Sequence, residues 1–140
     1  MTAPRKLEKS VVTNIMSKLK TIPESKWEKR HGGKFGKIGR PDITGCLLGQ
    51  RFEFEVKRDE KGETTPAQEK ELRTWREAGA ITALVWSWEQ VADIIASFLV
   101  SRGRYELFIN KYLPSLEKTL HKKIFDYSME GELSLWKRKV

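Results

Sequence analysis

The stretch that most limits how this chain can fold is the run R-F-E-F-E-V-K at residues 51–57, where charged and apolar side chains alternate without a break. A β-strand, whose side chains point to opposite faces with a period of two, sorts such a run into two chemically distinct faces. Phe52, Phe54 and Val56 share one face, and Arg51, Glu53, Glu55 and Lys57 the other. Residues 43–48 just before it are apolar and partly β-branched, with Gly49-Gln50 between as a turn, so the two segments read as a β-hairpin.

An ordinary hairpin turns its charged face to water. The other reading comes from Asp42, which stands directly after Pro41 at the start of the first strand. A hairpin turning at Gly49-Gln50 brings position 42 beside positions 55–57, so that an Asp, a Glu and a Lys meet at one end. Two carboxylates that close repel each other unless a cation holds them, and an all-oxygen donor set favours Mg²⁺ or Mn²⁺. An ammonium group two residues further along the strand can orient a water or balance charge on a phosphate.

The remaining elements follow from periodicity and punctuation. Leu7, Val11, Val12, Ile15 and Leu19 recur at helical spacing, which predicts an amphipathic helix over residues 6–20. Residues 29–42 carry four glycines and no periodicity and read as a basic loop able to approach a ligand closely. Thr65-Pro66-Ala67-Gln68 supplies a capping hydroxyl, a proline at the first helical position and a Gln three residues after the cap, and Gly79 follows, so a helix spans residues 66–78. Residues 80–86 form a short buried strand, and a second capping pattern at Ser87 opens a helix reaching about residue 100. Strand, helix, strand implies a parallel crossover on a sheet. Residues 105–112 fit no single period, while residues 114–127 read as a helix. The fold class is therefore α/β, with one domain in 140 residues.

Charge narrows the partners. The first forty residues hold eleven Lys and Arg against three Glu, and the other hundred hold sixteen charges of each sign, so the whole net charge of +8 lies in the N-terminal quarter. Such asymmetry fits contact with a phosphate backbone, against the alternative of a solubilising or membrane-surface patch. The chain has no apolar run approaching the roughly 18 to 20 residues of a membrane span and no apolar signal core, so a cytoplasmic, non-secreted protein is expected. Cys46 alone makes no internal disulfide, and with only His31 and His121 beside it the chain lacks the ligands of a structural zinc site.

Gly39-Arg40-Pro41-Asp42-Ile43 followed by Glu55-Val56-Lys57 resembles the PD-(D/E)xK nuclease signature, and the wider series resembles its VRR-NUC (virus-type replication-repair nuclease) branch. That series comprises a helix-1 Glu, the loop G-G-K-F-G-K-I-G, the F-E-V-K strand, the T-x-x-Q helix start, and A-G-A-I-T leading to S-W-E-Q-V, over about residues 5 to 95. The resemblance implies a restriction-endonuclease-like core, a small mixed β-sheet flanked by helices. It implies a nuclease module over residues 1–100 and a C-terminal helical extension over residues 101–140 with no counterpart in the minimal module.

The implied activity is Mg²⁺- or Mn²⁺-dependent hydrolysis of DNA phosphodiester bonds. Asp42 and Glu55 match the metal-binding carboxylates, the Val56 carbonyl a further ligand, and Lys57 the lysine that positions or activates the attacking water. Glu8 matches the carboxylate contributed by the first helix, and Gln68 the polar residue opening the helix after the strand. Each has a rival reading: Glu8 as a solvated helix charge beside Lys6 and Lys9, Gln68 as the partner of Thr65 in a capping box. Glu53 lies one step too early for the ExK spacing and is read as supporting the site. Lys29, Arg30, His31, Lys34, Lys37, Arg40 and Arg58 are the expected DNA contacts, although a solvated loop would carry the same residues. Stand-alone relatives resemble junction resolvases, which implies branched DNA such as Holliday junctions or flaps in phage or mobile-element replication, recombination or repair. The added helix around Leu116, Leu120, Ile124 and Tyr127 suggests a homodimer contact or a lid. The competing class is a non-catalytic DNA-binding module on the same fold, which would be expected to have lost Asp42, Glu55 or Lys57.

Overall fold

The computed structural model describes residues 7–31, 38–102 and 105–138. Along the chain run α1 (Glu8–Leu19), β1 (Ser25–Lys29), β2 (Ile43–Leu47), β3 (Gln50–Val56), α2 (Pro66–Glu77), β4 (Ile81–Val85), α3 (Trp88–Ser101), α4 (Tyr105–Tyr112) and α5 (Lys118–Arg138), with a 3₁₀ turn at Leu113–Ser115. The chain divides into two compact units, Met1–Trp88 and Glu89–Val140. No helix among the described residues is long and apolar enough to cross a membrane.

The first unit is built on a sheet in the order β1-β2-β3-β4, in which β1, β2 and β3 run antiparallel and β4 lies parallel to β3. This is the small mixed sheet flanked by helices that the sequence predicts, with α2 as the parallel crossover. The hairpin turns at Leu48-Gly49, one residue earlier than the sequence suggests, and β3 already begins at Gln50. Both turn residues have positive φ, 49° and 82°, the backbone twist that a two-residue hairpin turn requires. Gly49 takes the second position without strain. Gln50, released from the turn, donates its side-chain amide to the Gly79 carbonyl at 2.9 Å.

The strand β1 falls partly inside the segment read as a loop. Its sequence S-K-W-E-K holds a single apolar residue, yet Trp27 is buried, and its ring centroid lies 5.6 Å from that of Phe52 and 6.2 Å from that of Phe54. Gly45 on β2 pairs with Trp27, and a Cβ at that position would run into the indole ring. The glycine therefore makes room for the aromatic cluster that fixes β1 as an edge strand. Helix α1 packs against β1 and β3 with Val11, Val12, Ile15, Met16 and Leu19 buried.

Helix α2 lies over the charged face of β3. Its capping box forms as the sequence predicts: the Gln68 N–H donates to Thr65 Oγ1 at 3.2 Å, and the Thr65 N–H donates to Gln68 Oε1 at 2.9 Å. Because α2 covers this face, Glu53 and Glu55 are 0% and 2% exposed, where an ordinary hairpin would leave them in water.

In the second unit α3 buries Val91, Ala92, Ile95, Ala96 and Leu99, a stripe at helical spacing. The segment 105–112 is helical. The helix expected from residue 114 starts at Lys118: Pro114 sits in the 3₁₀ turn, and the Glu117 carboxylate accepts the Thr119 and Leu120 N–H groups at 2.9 and 3.1 Å, which caps the helix there. Tyr127 Oη donates to Asp93 Oδ1 at 2.7 Å, and Lys123 Nζ lies 3.6 Å from the same carboxylate.

Candidate active site

Glu8, Asp42 and Glu55 converge, each offering a carboxylate oxygen within 4.8 Å of the others. Three elements place them. Glu8 is the first residue of α1, where the helix dipole favours a negative charge. Asp42 precedes β2, and since Ile43 pairs with Phe54, it stands opposite Glu55 across the hairpin. The Val56 N–H donates to Asp42 Oδ2 at 2.8 Å, so the residue whose carbonyl is the further candidate ligand also holds Asp42 in place.

The donors differ in their access to water. Glu8 is exposed, Asp42 half-buried and Glu55 buried. Burial above all, then the neighbouring Asp42 charge, pushes the Glu55 carboxyl from its ordinary 4.5 up to about 8; Glu8 adds to the rise and Lys57 opposes it. Glu55 Oε2 is buried with no hydrogen-bond partner among the described residues. A buried carboxylate oxygen left unpaired beside two further carboxylates is what a hard divalent cation would satisfy, and the all-oxygen donor set fits Mg²⁺ or Mn²⁺.

Lys57 and Gln68 close the other side. Gln68 Nε2 donates to Glu55 Oε1 at 2.9 Å, while Gln68 Oε1 accepts from Lys57 Nζ at 3.0 Å. Lys57 Nζ is also 3.7 Å from Glu55 Oε1. Gln68 thus caps α2 and bridges acid to ammonium, so its two sequence readings hold together. Lys57 is 8% exposed. Gly62 lies against its stem: a Cβ there would come within 2.5 Å of Lys57 Cβ and 2.7 Å of Cγ.

The residues expected to touch DNA divide. Lys29, His31 and Arg40 are exposed. Arg58 pairs with Asp59 at 3.5 Å with its side chain 41% exposed. Arg30 turns inward, to Glu53 and the Pro41 carbonyl. Lys34 and Lys37 lie outside the described residues. Gly39, at the far end of the loop with φ 86°, approaches so closely that a Cβ would stand 2.7 Å from the Ala67 backbone, which ties the loop to the start of α2. Cys46 is half-buried in β2.

Two features escaped the sequence reading. Gly62 gave no signal, since a lone glycine in a charged loop marks no particular contact. The set of Glu53, Arg30, Arg51 and Trp75 was half visible, because the alternation of β3 puts Glu53 and Arg51 on the face of Glu55, but Arg30, just after β1, and Trp75 of α2 come from elsewhere in the chain.

No family model matches the chain, and no curated protein matches it. Solved structures do. One described as "VRR_NUC domain" is 28% identical, with a TM-score of 0.54 over 63% of this chain and 92% of that one. Another, described as "VRR_NUC domain protein", is 18% identical, with a TM-score of 0.53 over 66% of this chain and 87% of that one.

Proposed function

We propose, from the VRR-NUC, nuclease-type fold that this chain carries, that it is a metal-dependent DNA endonuclease acting on branched DNA, Holliday junctions or flaps, in phage or mobile-element replication, recombination or repair. The observation that carries the reading is the convergence of Glu8, Asp42 and Glu55 beside a lysine held by Gln68. Glu8, Asp42, Glu55 and the Val56 carbonyl would hold Mg²⁺ or Mn²⁺. Bound there, the ion would polarise the scissile phosphate and lower the pKa of a water.

The chain's own residues do the rest. Gln68 fixes Lys57 Nζ through a 3.0 Å hydrogen bond, so the ammonium is aimed rather than free to wander, and it can orient the attacking water or balance charge that develops on the phosphate. Burial of Glu55 keeps bulk water from one side of the cluster. The exposed side chains of Lys29, His31 and Arg40 and the half-buried Arg58, with Lys34 and Lys37, would lead the DNA backbone to the site. The activity belongs to residues 1–100; residues 101–140 add a homodimer contact, so that twofold protein symmetry would match paired scissile strands. The cytoplasm of a bacterial or phage-infected cell is the expected setting.

The test is incubation of the purified protein with labelled linear duplex, flap, splayed-arm and four-way junction DNA in Mg²⁺, Mn²⁺ or EDTA. Cleavage of branched substrates with either ion and none in EDTA is expected. Asp42→Ala and Glu55→Ala should each abolish it while DNA binding persists. DNA binding without cleavage under any of these conditions would favour the non-catalytic module.

A further inference from the structure

Glu53 is fully buried on the charged face of β3, two residues before Glu55. A carboxylate there is unfavourable unless a cation pairs with it. The pairing comes from Arg30, the residue just after β1, whose Nη2 donates to Glu53 Oε1 and whose side chain is only 13% exposed. Arg51 Nη2 stands 3.7 Å from the same oxygen. Trp75 of α2 covers both guanidinium groups, whose central carbons lie 5.5 Å (Arg30) and 4.7 Å (Arg51) from the ring centroid.

Arg30 has a second set of bonds. Its Nη1 donates to the Pro41 carbonyl at 3.0 Å, and its backbone N–H donates to the Asp42 carbonyl at 2.7 Å. One residue therefore grips two successive peptides, and the second belongs to a carboxylate of the cluster. That grip has work to do. Asp42 ends the loop, and its carboxylate lies within 4.8 Å of those of Glu55 and Glu8, so a shift of its peptide would change the spacing of the whole cluster.

We propose that Glu53 and Arg30 form a positioning clamp that sets the Pro41-Asp42 peptide, and through it the Asp42 carboxylate, at the spacing the cluster needs for a divalent ion. The proposal rests on the cluster being an ion site. It assigns Arg30 a role apart from DNA contact and gives a reason for a buried acid outside the cluster. A guanidinium is suited to it, because its planar fork can bond Glu53 and Pro41 at once, whereas a single ammonium cannot span both in the same geometry.

The experiment is Mn²⁺ titration by calorimetry, with denaturant unfolding in EDTA, on wild type, on Arg30→Met/Glu53→Gln and on Arg30→Lys. The double variant removes both charges, so no buried charge is left alone. The expected result is Mn²⁺ affinity lower by on the order of tenfold in both variants, the usual cost of losing a group that orients a metal ligand. Wild-type affinity in a folded double variant overturns the clamp. If that variant does not fold, Arg30→Lys carries the test, and wild-type affinity there overturns it equally. A purely structural ion pair would move the unfolding midpoints and leave the Mn²⁺ affinity where it was. Wild-type protein that takes up no Mn²⁺ overturns instead the ion site beneath the proposal.

Discussion

Replacing Glu55 with glutamine should change how the metal-free protein responds to pH. Burial and the Asp42 and Glu8 charges hold the Glu55 carboxyl at about 8 in the folded protein, against 4.5 ordinarily. The folded state therefore binds this proton more tightly than the unfolded state does. The resulting stabilisation is fully present below about pH 4.5, declines as pH rises, and is gone above about pH 8. At about 1.4 kcal/mol per pH unit, the portion lost between about pH 6 and pH 9 would be close to 3 kcal/mol. Water on the open side of the cluster, where Glu8 is exposed, screens part of it, so about 2 kcal/mol is expected. The assay is urea denaturation in EDTA at both pH values. Wild type should lose about that much more than Glu55→Gln, whose amide still offers Gln68 an acceptor but has no proton to lose. Mn²⁺ should restore wild type at the higher pH, because the ion replaces the proton. Parallel pH profiles for wild type and variant in EDTA would refute the claim that Glu55 titrates in this range.

Lys57→Ala should slow single-turnover cleavage at saturating enzyme while leaving DNA affinity nearly unchanged, since a group that acts on the reacting water is felt in the chemical step; equal rates would remove Lys57 from the mechanism. Gly62→Ala should lower the cleavage rate more than it lowers the melting temperature, because the new methyl displaces Lys57 Cβ and Cγ rather than a flexible tip; an unchanged rate would show that the loop yields instead. Gln68→Ala should reduce cleavage and also destabilise α2 by about 1 kcal/mol through the lost capping box, whereas Thr65→Ala should reproduce only the second effect.

What the sequence made legible was local. The hairpin, the Asp42–Glu55 juxtaposition and the limits of α2 depend on alternation and caps within a few residues, and these signals survive without tertiary context. The burial of Glu53 and Glu55 does not, because alternation separates two faces without saying which one is wet. That is decided when α2 lands on the charged face, bringing Gln68 to Glu55 and Trp75 to Arg51. The turn moved by one residue for a similar reason. Leu48 accepts an unfavourable φ of 49° in a register that buries Ile43 and Leu47 completely and sets Gly45 beneath Trp27.

The inward turn of Arg30 follows from β1 and leads to a prediction about DNA. Trp27 faces the aromatic cluster, so Glu28 falls on the opposite face, where it pairs with Thr44, which pairs in turn with Glu53. Two residues on, Arg30 returns to that same face and meets the buried acid. Counting charges along residues 29–42 cannot reveal this, because it treats a strand end and a loop alike. Among the described residues of that stretch, the exposed side chains that can meet phosphate are then Lys29, His31 and Arg40. Replacing Lys34, Lys37 and Arg40 together with alanine should reduce the slope of log K against log salt by up to about 3, since each phosphate contact contributes about 0.9 on duplex DNA. Arg30→Met/Glu53→Gln, which removes the Arg30 charge together with its buried partner, should leave that slope as it is in wild type. Fluorescence anisotropy in EDTA, where no cleavage intervenes, reads both. A slope unchanged by the triple substitution would send the DNA path elsewhere, and a slope lowered by Arg30→Met/Glu53→Gln would mean that the guanidinium leaves Glu53 when DNA binds.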